Sequence, residues 1–209
     1  VCAGETPTFT ANGATTYVWA PATGLSATTG TSVDATPLTT TTYSAIGSSG
    51  GCADTATFTI TVNTSPTLNV SPDIAICEGE TTTLTASGAT TYSWTPATGL
   101  SNTNAGTVDA NPATTTTYTV TGTAAGCSSS EDITVTVNPY PNLSIQLAAA
   151  TICDGETQTF TASGGNNYTW SPVTGLNTTT GATVDANPSV TTDYEVVSSN
   201  SGCNDTANV

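Results

Sequence analysis

The sequence predicts an all-β protein, built as three small antiparallel sandwiches in tandem. Three observations predict it. One text is written three times, with starts 75 and then 76 residues apart. Within each copy, apolar residues alternate with Thr at the two-residue period of a strand. Turn residues recur roughly every 8–12 positions, and no stretch carries a helical stripe.

Each copy opens on Cys-x-Gly-Glu, at Cys2–Glu5, Cys77–Glu80 and Cys153–Glu156. A strand follows, with Phe9 and Ala11 or Leu84 and Ala86 on one face. Tyr17, Tyr92 and Tyr168 come next, each two residues before a Trp (Trp19, Trp94, Trp170) that suits a central strand packed into the core. Asp34, Asp109 and Asp185 sit inside Val-Asp-Ala, and Tyr43, Tyr118 and Tyr194 lie nine residues further on. The last strand is the clearest: Phe58, Ile60 and Val62 alternate with Thr, as do Ile133, Val135 and Val137. β-Branched Thr serves the outer face without adding charge. Ser87-Gly88, Thr98-Gly99, Asn111-Pro112 and Ala125-Gly126 mark the turns of the middle copy.

These periods place the domains at 1–65, 66–140 and 141–209. The first is expected to lack the counterpart of Leu68–Ile76, its first strand, and the third to stop inside its last strand. The junctions Asn63–Pro66 and Asn138–Pro141 are short and stiffened by Pro, which predicts a semi-rigid rod.

Each copy has a second Cys 50 residues after its first: Cys52, Cys127 and Cys203. An even number of Cys at regular spacing reads as a disulfide framework from an oxidising compartment. The expectation is one bridge per domain, joining its ends and closing a loop worth about 4 kcal/mol by chain entropy.

Composition excludes much. The chain has no Lys, Arg or His, and fifteen Asp and Glu give a net charge of -15. Thr makes up about a quarter of the residues. Without cations there is no electrostatic basis for binding nucleic acid or anionic membranes, and no apolar run is long enough to insert into a bilayer. Without His no Ser-His-Asp or Cys-His site can be built. Without Lys no isopeptide crosslink or Schiff base forms. The expectation is a non-enzyme without a resident cofactor.

The set Cys-x-Gly-Glu, Tyr-x-Trp-x-Pro-Ala-Thr-Gly-Leu, Val-Asp-Ala-x-Pro, Thr-Thr-Thr-Tyr and Gly-Cys, ending in Thr-Val-Thr-Val-Asn-Pro, resembles the Ig-like/PKD-like tandem repeats of very large secreted surface proteins of Bacteroidetes. Gliding-motility adhesins exported by type IX secretion are among them. The third copy departs slightly, with Pro-Val-Thr-Gly-Leu and Thr-Thr-Asp-Tyr. The resemblance implies an Ig-like sandwich, display at the cell surface and a stalk role, with no catalytic residues.

Three further sets of residues are candidate sites. Glu5, Glu80 and Glu156 with Asp34, Asp109 and Asp185 are weak Ca²⁺ candidates, one Glu and one Asp per copy. Trp19, Trp94 and Trp170 could stack on sugars, against the core reading. Asp54-Thr55-Ala56 and Asp205-Thr206-Ala207 match the resembling family's O-glycosylation pattern at Thr55 and Thr206. The expected partners are neighbouring repeats, of the same or identical chains, and surface glycans. A glycan-binding array and a filament subunit that donates strands are the alternatives to a stalk.

Overall fold

The computed structural model describes residues 1–209, and none of them is helical. No helix is long and apolar enough to cross a membrane.

Eighteen strands form six sheets, two to a sandwich. The first sandwich holds β1 (Thr8–Thr10), β2 (Thr16–Ala20), β3 (Ser32–Asp34), β4 (Thr41–Ser49) and β5 (Cys52–Ile60). β1 pairs with β3, and β2-β4-β5 form the facing sheet. The second holds β6 (Asn69–Val70), β7 (Ile74–Cys77), β8 (Thr82–Ser87), β9 (Thr91–Thr95), β10 (Thr107–Ala110), β11 (Thr116–Ala124) and β12 (Cys127–Asn138). Its sheets run β10-β8-β6 and β7-β12-β11-β9. The third holds β13 (Ser144–Ile145), β14 (Gln158–Ser163), β15 (Asn167–Ser171), β16 (Thr183–Ala186), β17 (Glu195–Asn200) and β18 (Cys203–Asn208), in sheets β13-β14-β16 and β15-β17-β18.

Strand pairing is antiparallel except between β7 and β12, which run parallel. The chain enters the middle sandwich in one sheet as β6, passes Pro72, and continues in the other as β7. Pro suits this switch because it has no N–H to leave unpaired.

Alternation sorts the side chains as the pattern requires. In β12, Ile133 and Val135 are fully buried, while Thr134 faces out and exchanges a hydroxyl hydrogen bond of 3.0 Å with Thr117 on β11. Thr42 and Thr59 do the same at 2.8 Å in the first sandwich. Such cross-strand hydroxyl pairs knit the outer face of a sheet without ions.

The middle core is the largest, with eleven buried residues around Trp94, Tyr118, Leu84 and Ile133. The third has seven. The first is split into two clusters of three, with Phe9, Leu25 and Phe58 packed against both.

One core contact has been exchanged between copies. Ala89 faces Gly122 in the middle sandwich, as Ala14 faces Gly47 in the first. In the third, the corresponding residues are Gly165 and Ser198, so the larger side chain has moved to the opposite partner. A methyl group added at Gly165 would overlap the Ser198 Oγ. Gly165→Ala is therefore expected to destabilise the third sandwich by about 1–3 kcal/mol, the usual cost of overpacking. Ser198→Gly in the same chain is expected to recover most of that loss. Urea midpoints of the two single variants and the double variant measure the coupling.

The disulfides correct the sequence expectation. Cys2 is bonded to Cys127 and Cys77 to Cys203, across sequence separations of 125 and 126. Each bond joins one sandwich to the next. The expected pairs Cys2–Cys52, Cys77–Cys127 and Cys153–Cys203 do not form, and Cys52 and Cys153 are free thiols, both exposed.

The cause is the parallel pairing. It sets Cys77 opposite Asn138, the last residue of β12, whereas Cys127 is the first residue of that 12-residue strand. At about 3.3 Å per residue the two lie more than ~30 Å apart. A disulfide needs Cα atoms within roughly 7 Å. The first sandwich repeats the arrangement: Cys2 bridges in parallel to Asn63, past the end of β5, and Cys52 begins β5.

Candidate functional site: the junctions between sandwiches

Two junctions carry the repeated chemistry, and each is assembled from the same parts. The first part is the Cys-x-Gly-Glu turn. In all three copies the Glu N–H donates to the Cys carbonyl at 3.0 Å. The Glu carboxylate reaches back and accepts from the Cys N–H, at 2.7, 2.9 and 3.1 Å for Glu5, Glu80 and Glu156. Gly4, Gly79 and Gly155 have φ of 90°, 80° and 85°, which suits the third position of such a turn to Gly. The motif thus fixes the backbone that presents the first Cys.

The second part is the hairpin ahead of the second Cys. Ala124 pairs with Cys127, leaving a two-residue loop of Ala125 and Gly126. Both have positive φ, 50° and 82°, the signature of the tight turns that match strand twist. Asn200 and Cys203 enclose Ser201 and Gly202 in the same way, with φ of 48° and 88°.

The third part is an Asn at the end of the strand beside the first Cys. The Asn63 side-chain amide donates to the Ala125 carbonyl at 2.8 Å, and that of Asn138 to the Ser201 carbonyl at 3.1 Å. The disulfide lies next to this hydrogen bond. Cys127 and Cys203 are each only 1% exposed.

Neighbouring sandwiches are therefore joined twice, by the backbone linker and by a disulfide. A single flexible connection leaves bending and twisting free. A second covalent connection beside the first removes most of that freedom.

The other predicted residues sit as follows. Trp19, Trp94 and Trp170 are 3%, 3% and 1% exposed. Their indole N–H groups donate to the carbonyls of Gly30, Ala105 and Gly181 at 2.8, 2.8 and 3.0 Å. No indole face is open to a sugar. Tyr43, Tyr118 and Tyr194 are buried, and their hydroxyls donate to the carbonyls of Thr23, Thr98 and Thr174 at 2.8, 2.8 and 2.6 Å. These bonds lock the Thr-Gly-Leu turn onto the core.

Asp34, Asp109 and Asp185 accept from the hydroxyls of Thr8, Thr83 and Thr159 at 2.6, 2.9 and 2.6 Å. The Glu and Asp sets are thus held in separate turn and strand contacts. No group of three or more Cys, Asp or Glu side chains gathers into a metal site. Thr55 and Thr206 are exposed, and their N–H groups are bound by the Asp54 and Asp205 carboxylates at 2.8 Å.

Burial pushes the phenols of Tyr118 and Tyr194 above the ordinary value of 10.0, with a hydrogen bond involving the Thr192 side chain partly opposing the shift at Tyr194. For a raised acid the unfolded form ionises first. The stability is fully present below about pH 10 and is lost as pH rises through the folded value. Melting temperature is expected to hold level through mildly alkaline pH and fall above about pH 10; thermal unfolding followed by circular dichroism across that range checks it.

No protein-family model matches the chain, and no curated protein matches it either. Solved structures do. An E-to-A variant of the three-Ig fragment I67–I69 of titin is 13% identical, covers 99% of this chain and 92% of its own, and has a TM-score of 0.51. The eight N-terminal Ig domains of Down Syndrome Cell Adhesion Molecule are 15% identical over 99% of this chain and 39% of their own, with a TM-score of 0.49. The titin likeness shows the fold: three Ig-like sandwiches in series.

Proposed function

We propose that the chain is a structural stalk: non-catalytic Ig-like repeats of a long extracellular adhesin or cell-surface filament. The observation that carries this reading is that both junctions between sandwiches are closed by a disulfide. Such bonds persist in oxidising surroundings outside the cytosol. They strengthen the contact between units, where a stalk bends, more than the interior of any unit.

The other features fit the same role. The surface carries only negative charge, so units repel and favour extension. Without Lys or Arg it offers no trypsin-like cleavage site. No catalytic constellation is present. The motif resemblance to Bacteroidetes surface adhesins supports a type IX secreted parent protein and display at the cell surface. Exposed Thr55 and Thr206 fit O-glycosylation of that surface.

The test is shape. Sandwiches built on strands of 9 and 12 residues span roughly 30–40 Å each, so three in series should measure roughly 90–120 Å. Small-angle scattering from the oxidised chain is expected to give a stiff rod of that length. A compact particle with its sandwiches folded together would overturn the proposal.

A further inference from the structure

We propose that the first junction disulfide lets the chain bear tension without lengthening: the pull passes along β12, and the rest of the middle sandwich carries none of it. The inference deepens the stalk reading and rests on it, since a stalk is loaded along its axis.

Tension applied at Cys2 has two covalent routes to Cys127. One is the disulfide, whose Cα atoms are 5.6 Å apart. The other is the intervening chain, a sequence separation of 125, which holds the strands of the first sandwich and β6 to β11 of the second. When two routes run side by side, the shorter tightens and the longer stays slack. Without the bridge the pull would enter the middle sandwich at β6 and leave at β12, and unfolding would release every residue between.

β12 carries the load from one junction to the other. It begins at Cys127, beside the Asn63–Ala125 hydrogen bond of the first junction. It ends at Asn138, whose side-chain amide donates to the Ser201 carbonyl in the second. A strand rises about 3.3 Å per residue, and a fully drawn-out chain reaches at most ~3.3–3.6 Å per residue. The 12 residues of β12 are therefore close to their full length already. The link that follows, Pro139-Tyr140-Pro141, is held extended by its two prolines.

Bridge, strand and link thus form one nearly taut line through the middle sandwich. The hydrogen bonds that flank β12, to β11 on one side and β7 on the other, lie beside this line and not in series with it. Breaking them under load adds almost no length. The resistance of the array to stretching is set by covalent bonds, and the cores are left to hold shape.

Single-molecule stretching of the full chain tests this. The chain has no Lys, so the Val1 amine is a unique attachment point. In the Cys52→Ser variant the Cys153 thiol is a second one. Cys153 lies 26 residues beyond Cys127, so the oxidised chain held between these points is expected to stop at about 100 Å however hard it is pulled. Urea that unfolds the sandwiches should leave that ceiling in place. With dithiothreitol, or with Cys2→Ser and Cys127→Ser added, the same two points should separate by more than about 400 Å. An oxidised chain that passes well beyond about 100 Å, or a reduced chain that stops there, would overturn the proposal. A rod in scattering that lacks the ceiling sinks this inference and leaves the stalk reading. A compact particle that keeps the ceiling does the reverse.

Discussion

Trp94→Ala is expected to unfold the middle sandwich and leave its neighbours folded. The ring is buried at the centre of a core of eleven residues, and its indole N–H satisfies the Ala105 carbonyl at 2.8 Å. Truncating a buried Trp costs about 3–5 kcal/mol. The carbonyl left without its donor adds to this. A small domain has roughly 5–15 kcal/mol in total, so the loss removes most of its margin. The sandwiches have separate cores, so the damage should stay local. Peptide-resolved hydrogen exchange is the measurement. Amides of β8, β9, β11 and β12 should lose protection while those of β14, β15 and β17 keep it. Protection retained throughout would show that the Trp carries less of the core than its burial indicates.

The second large effect concerns shape. Replacing Cys77 and Cys203 together by Ser should leave the sandwiches folded and release the junction between the second and third. Closing a loop of more than a hundred residues is worth about 4–5 kcal/mol in chain entropy. That figure applies in full only when everything within the loop unfolds at once. For the folded array the gain appears as restricted bending, since the Asn138–Ser201 hydrogen bond alone would remain beside the linker. Electron micrographs should show the angle at that junction broadening from a narrow distribution to a wide one, while the angle at the Cys2–Cys127 junction keeps its narrow distribution. An unchanged angle would mean that the linker and packing suffice.

Much of this architecture was legible in the residues. The alternation of Ile133, Val135 and Val137 with Thr placed the longest strand and its buried face. The fixed spacing of Trp94 and Tyr118 and their counterparts marked positions that the fold buries in every copy. The disulfide pairing was not legible, for a definite reason. When a unit repeats at 75 residues, a spacing of 50 within copies and one of 125 between copies are equally regular. Periodicity cannot choose between them. The choice was made by β7, whose parallel pairing with β12 carries Cys77 to the far end of its own sandwich, and a four-residue strand of Ile-Ala-Ile-Cys gives no sign of which sheet it joins. The Asn63 and Asn138 contacts are not legible either. In sequence each Asn lies in a linker, and only the neighbouring hairpin turn reveals its partner. The signal available was that both copies place Asn directly after the same Thr-Val strand end.

The bonding pattern is the most direct test of the account. Although trypsin has no site, cleavage at Asp and Glu separates all six cysteines onto different peptides. Free thiols are blocked on the monomeric chain, which is then digested without reduction and mapped by mass spectrometry. The Cys2 peptide is expected linked to that of Cys127, the Cys77 peptide linked to that of Cys203, and the blocking group on Cys52 and Cys153. Links between Cys2 and Cys52, Cys77 and Cys127, or Cys153 and Cys203 would contradict it.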